Sequence, residues 1–164
     1  MTKSRRGIYL LPNLLTTGAL FSGFYSIVAA MNQHFASAAI AIFVAIILDG
    51  MDGRIARLTN TQSAFGMQYD SLSDMISFGL APSLVVYQWA LFSMGKLGWL
   101  AAFVYTACAS LRLARFNTQA TSIDKRYFQG LPSPGAAAVL GGLVWFGSNY
   151  GFIDDKPITI ICSY

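Results

Sequence analysis

Four aspartates carry the densest chemistry in this sequence: Asp49 and Asp52, then Asp70 and Asp74. The chain has seven acidic residues, all Asp, so more than half of its negative charge lies in one segment. On helices, residues three or four apart share a face, which aligns each pair. The stretch from Leu58 to Tyr69 is short and polar, so the two helices must run antiparallel and bring the pairs together. Four hard oxygen donors suit Mg²⁺ or Mn²⁺, and two divalent ions would balance four carboxylates in formal charge. Gly50, Gly53, Ala56 and Gly66 leave the backbone open beside them, so a flat or bulky ligand could approach closely. A structural salt-bridge network of Arg54 and Arg57 with Asp49 and Asp52 is the competing reading. Two guanidiniums against four carboxylates leave charge uncompensated, which favours metal.

The elements that must position these residues are apolar. Of 164 residues, 55% are hydrophobic and 11% charged, against about 25% charged in soluble domains. The expected fold is all-α, a polytopic transmembrane bundle in which an ionisable side chain marks function by default. Apolar runs at 8–31, 36–58, about 70–92, 97–115 and 133–150 predict five full spans, and 157–164 the start of a sixth. The first run is too long for a signal-peptide core, which holds roughly 7–15 residues. One transmembrane domain over 1–164 is expected, apparently short at its C-terminus.

Basic residues orient the bundle. With the N-terminus in the cytoplasm, Lys3, Arg5, Arg6, Arg54, Arg57, Arg112, Arg115, Lys125 and Arg126 fall on the cytoplasmic side, and only Lys96 and Lys156 fall outside. The positive-inside rule then predicts a multi-pass protein of the cytoplasmic (inner) membrane, with the aspartates at its cytoplasmic end. No nucleic-acid partner is expected. Cys108 and Cys162 suggest neither a disulfide framework nor a zinc site, and His34 reads as a solvated loop residue.

The spacing D-x-x-D-G-x-x-A-R, eight residues, G-x-x-x-D-x-x-x-D, met here at every fixed position, resembles the CDP-alcohol phosphotransferase family. The resemblance implies an integral membrane enzyme that breaks the pyrophosphate of a CDP-linked donor, releases CMP and passes the phosphoryl-lipid to an alcohol. Carried across position by position, Asp49, Asp52, Asp70 and Asp74 would hold two ions, Mg²⁺ or Mn²⁺, with Asp74 also the general base. Asp52, Gly53, Arg57 and Gly66 would belong to the nucleotide pocket. Homodimerisation is a further family expectation.

Leu11–Thr16, Tyr69–Asp74, Leu111–Asn117 and Phe128–Pro134 are most similar to the branch that joins CDP-diacylglycerol to L-serine in the lipid bilayer. Serine brings a carboxylate as well as a hydroxyl, which would give Arg112 or Arg115 an anion to hold. Both arginines could equally snorkel to the headgroups. Asn13 and Thr16 could line a phosphate site, or cap a helix. Glycerol phosphate or inositol remain alternative acceptors. Intramembrane carboxylates also occur in cation or proton transporters, although here the polar groups gather at one membrane face.

Overall fold

A computed structural model describes residues 10–59, 63–119 and 132–150. Five helices follow one another: α1 (Leu10–Met31), α2 (Phe35–Leu58), α3 (Ala64–Met94), α4 (Lys96–Gln119) and α5 (Ser133–Tyr150). There is no strand among the described residues. Four of the helices, α1 to α4, are long and apolar enough to cross a membrane. The fifth expected span is helical but has 18 residues, about 27 Å at 1.5 Å per residue, slightly under a hydrocarbon core of about 30 Å. Positions 157–164, expected to open a sixth span, lie outside the described residues. So do Lys3, Arg5, Arg6, Lys125, Arg126, Lys156, Cys162 and the 128–131 part of the Phe128–Pro134 stretch.

Side chains are sorted as lipid rather than water dictates. The interior is built from small residues, among them Ala19, Ala29, Ala38, Ala45, Ala81 and Ala137, whereas Phe21, Phe24, Ile47, Phe103 and Leu143 face outward. Lipid tails are as apolar as Leu, so helix association depends on close backbone approach and hydroxyl bonds. Gly23 makes this concrete: a Cβ there would lie 2.6 Å from Ser77 Oγ and 2.8 Å from Ser77 Cα, so only glycine lets α1 meet α3. Ser77 donates to the Ala19 carbonyl at 3.2 Å, and Ser22 to the Ala41 carbonyl at 2.7 Å.

The α1–α2 connection is a Schellman turn. His34 N–H bonds Ala29 O at 2.9 Å and Gln33 N–H bonds Ala30 O at 3.0 Å, with Gln33 left-handed at φ 62°. His34 is exposed, as a solvated loop residue should be.

The third helix departs from expectation at its start. A polar loop reaching Tyr69 is the natural reading of composition, yet helix begins at Ala64 because Ser63 caps it, accepting from Gly66 N–H at 2.9 Å. Asp70 and Asp74 therefore sit well inside α3 rather than in its opening turn. Directly after Asp74 the helix widens into π turns over Met75–Leu80, closed by an Ala81 N–H to Ile76 O bond. Pro82 has no N–H to return to Phe78, and the Tyr105 hydroxyl of α4 bonds that carbonyl instead, at 3.1 Å. Ser83 and Thr106 join their hydroxyls nearby at 2.8 Å, closing the α3–α4 seam.

Candidate active site

The last turns of α2 meet the second and third turns of α3 at one end of the bundle, beside the first turns of α1. Asp49, Asp70 and Asp74 each contribute an oxygen to a group whose members all lie within 4.8 Å of one another. The antiparallel helices thus bring three of the four aspartates together. Asp52 is not in that group. Three residues along a helix turn the side chain about 60° off the Asp49 direction, and this points Asp52 at α1, where Thr16 Oγ1 donates to its Oδ2 at 2.6 Å. Both residues are only 4% exposed.

Three carboxylate oxygens this close repel one another. At an effective dielectric of about 20, each pair at 4.8 Å costs about 3 kcal/mol when both are charged. Arginine does not relieve it, because no ion pair forms among the described residues. Arg54 is exposed, and Arg57 sends Nε back to the Gly53 carbonyl at 3.0 Å. Asp70 Oδ1 is buried and has no hydrogen-bond partner, a costly state for a carboxylate oxygen in a protein interior. A divalent cation held by Asp49, Asp70 and Asp74 fits this donor set, and the salt-bridge alternative does not.

The glycines beside the aspartates are not there for packing. A Cβ at Gly50 would meet nothing within 4 Å, and one at Gly53 would meet only Arg57 Nη2, at 3.9 Å. Both positions therefore leave open space next to the aspartates. Gly66 differs: its Cβ would come within 3.1 Å of Ser63 Oγ and 3.5 Å of Asn13 Oδ1, so this glycine lets α1 close against the α3 cap. That puts Asn13 at the same end of the bundle as the cluster.

The two arginines of the Leu111–Asn117 stretch separate. Arg112 is half-buried and donates Nη1 to Ser133 Oγ at 3.1 Å, tying α4 to α5, while Arg115 is exposed. Asn117, from the same stretch, exchanges hydrogen bonds with Ser71 at 3.0 and 3.3 Å and ties α4 to the aspartate-bearing turns of α3.

Sequence reasoning missed the contacts that hold the site. Besides Thr16 with Asp52, Ser73 donates to the Thr16 carbonyl at 3.2 Å. Thr17 directs its proton to the Asn13 carbonyl at 2.7 Å, which makes Tyr69 the donor in their 2.9 Å hydroxyl pair. Small hydroxyl residues on α1 spaced like Thr16 and Thr17 are a weak signal, since nothing local says which partner they reach.

An antiparallel helix pair carrying this aspartate set defines a class. The chain belongs to the CDP-alcohol phosphatidyltransferase family, which it matches over residues 9–160. More particularly, it is 38% identical over 157 residues to a CDP-diacylglycerol–serine O-phosphatidyltransferase of Helicobacter pylori, covering 96% of this chain and 66% of that protein. It is 35% identical over 130 residues to the protein of that name in Bacillus subtilis, covering 79% of this chain and 72% of the relative. The Saccharomyces cerevisiae protein of that name is 35% identical over 154 residues, with 85% and 55% covered. The chain thus spans from about half to about three quarters of the length of these three relatives, and less than two thirds of the Helicobacter protein.

Proposed function

We propose that this chain forms the catalytic transmembrane region of a CDP-diacylglycerol:L-serine phosphatidyltransferase, which makes phosphatidylserine and releases CMP. The observation that carries the proposal is the Asp49, Asp70 and Asp74 group beside the unclaimed space at Gly50 and Gly53. The names of the relatives favour serine over glycerol phosphate or inositol. The domain is a single one, built of five spans, and it works as a homodimer in the inner membrane. Its N-terminus and site face the cytoplasm, where a water-soluble nucleotide is available.

Phosphoryl transfer asks a protein mainly to position groups and neutralise charge. Asp49, Asp52, Asp70 and Asp74 would hold two divalent ions, Mg²⁺ or Mn²⁺, which would supply that neutralisation when bound. Asp74 accepts the proton of the serine hydroxyl as its oxygen bonds to the lipid-linked phosphorus. The bond from that phosphorus to the bridging oxygen breaks, and CMP leaves with the electron pair. Arg57, anchored by Nε to the Gly53 carbonyl, keeps its terminal nitrogens on the nucleotide side. Gly53 leaves the backbone open there, Gly66 lets Asn13 close in to border the phosphates, and Arg112 or Arg115 receives the serine carboxylate.

The test is CMP release from CDP-diacylglycerol by the purified protein with Mg²⁺ or Mn²⁺, with and without L-serine, alongside Asp74→Asn. Release that needs both serine and metal, and is lost in the variant, is the expected result. Equal release with glycerol phosphate or inositol would overturn the serine assignment.

A further inference from the structure

Thr16 occupies a junction of three helices. Its hydroxyl reaches from α1 to Asp52 on α2 at 2.6 Å, and its carbonyl receives the Ser73 hydroxyl of α3 at 3.2 Å. All three residues are buried. A second acceptor, the Pro12 carbonyl, lies 3.0 Å from the same hydroxyl. A hydroxyl has one proton, and the shorter, charge-assisted bond to a carboxylate is the stronger of the two. That proton is thereby committed to Asp52 and is not free for a phosphate oxygen.

Asp52 depends on this contact. It lies outside the 4.8 Å group of the other three aspartates. Rotation toward that group would add a fourth like charge. With Oδ2 engaged by Thr16, one oxygen remains to face a ligand. The Ser73 bond to the Thr16 carbonyl, with Gly23 against Ser77 further along α1, fixes the height of α1 relative to both aspartate-bearing helices.

We propose that Thr16 is a positioning residue for Asp52: its hydroxyl fixes the orientation of the carboxylate and leaves the other oxygen to face a divalent cation. The proposal rests on the metal-dependent reading above. Partners of this kind typically change metal affinity 10- to 100-fold when removed.

The experiment is a Mn²⁺ titration of the purified protein in detergent, followed by electron paramagnetic resonance without lipid substrate. Thr16→Val, which keeps the shape and removes the hydroxyl, should weaken Mn²⁺ binding about 10- to 100-fold. Thr16→Ser should restore it, and Phe21→Ala, on the outward face of α1, should leave it unchanged. In an Asp52→Asn background, adding Thr16→Val should cost nothing more, because the two act as one unit. Should Thr16→Val fail to fold, Thr16→Ala is read in the same way. Unaltered Mn²⁺ affinity in the hydroxyl-free variant, or full additivity with Asp52→Asn, would overturn the positioning role and leave the enzyme reading intact. Absence of Mn²⁺ binding by the unaltered protein would overturn both.

Discussion

Replacing Gly53 by Ala separates packing from ligand space, because the two give opposite signs. The added Cβ would meet only Arg57 Nη2 at 3.9 Å, ordinary van der Waals contact, so the fold has nothing to lose. Gly53 lies within α2, where exchanging Gly for Ala favours the helix by about 0.8–1.0 kcal/mol. For a chain of this size that raises the melting temperature by about 2–4 °C. If a nucleotide fills the space, the same methyl overpacks the complex by about 1–3 kcal/mol, and CDP binding weakens about 5- to 150-fold. Thermal melting in detergent and calorimetric titration with CDP read the two effects separately. Gly23→Ala is the control of opposite character, since its Cβ would sit 2.8 Å from the Ser77 backbone and must lower the melting temperature. A Gly53→Ala protein that melts higher and binds CDP as tightly as before would refute the claim that this glycine keeps room for a ligand. One that melts lower would refute the packing argument itself.

Asp74→Asn should lower turnover by about 10²- to 10⁴-fold, the usual contribution of a positioned base, measured as serine-dependent CMP release. Chelation of divalent metal should stop that release, and added Mg²⁺ or Mn²⁺ should restore it. Tyr105→Phe removes the partner of the Phe78 carbonyl beside Pro82 and should cost about 1–3 kcal/mol, seen as a lowered melting temperature. Gln33→Gly should raise the melting temperature, because Gln33 holds φ 62° in an exposed turn where a side chain costs about 1–2 kcal/mol.

Membrane class, helix pairing and the aspartate faces were legible because each follows from local periodicity. Asp70 and Asp74 share a face whatever surrounds them. The start of α3 was less legible, because polar residues between Leu58 and Tyr69 suit a loop as well as an exposed helix turn; the deciding feature is the Ser63 cap on Gly66. The span count was harder still, since α5 pairs membrane-like packing with a modest length and a polar C-terminal end. That Asp52 would take its hydrogen bond from Thr16 on α1 was not legible at all. It depends on the azimuth of α2 against α1, which no spacing within either helix encodes.

The site extends beyond the two helices that carry the aspartates. The aspartates lie on α2 and α3, so a motif read along the chain makes those two helices the whole machine. Two helices in lipid have no hydrophobic force to set their rotation. Here α1 sets it, through Gly23 against Ser77, the Ala19 and Thr16 carbonyls under Ser77 and Ser73, and the Thr16 hydroxyl on Asp52. The π turns after Asp74 let α3 satisfy these contacts while Tyr105 takes up the carbonyl that Pro82 leaves free. α1 brings no carboxylate, yet its Thr16 hydroxyl bonds one of the four, Asp52, directly. Substitutions on its inward stripe should therefore alter metal affinity as strongly as many changes nearer the aspartates, whereas changes at outward Phe21 or Phe24 should not.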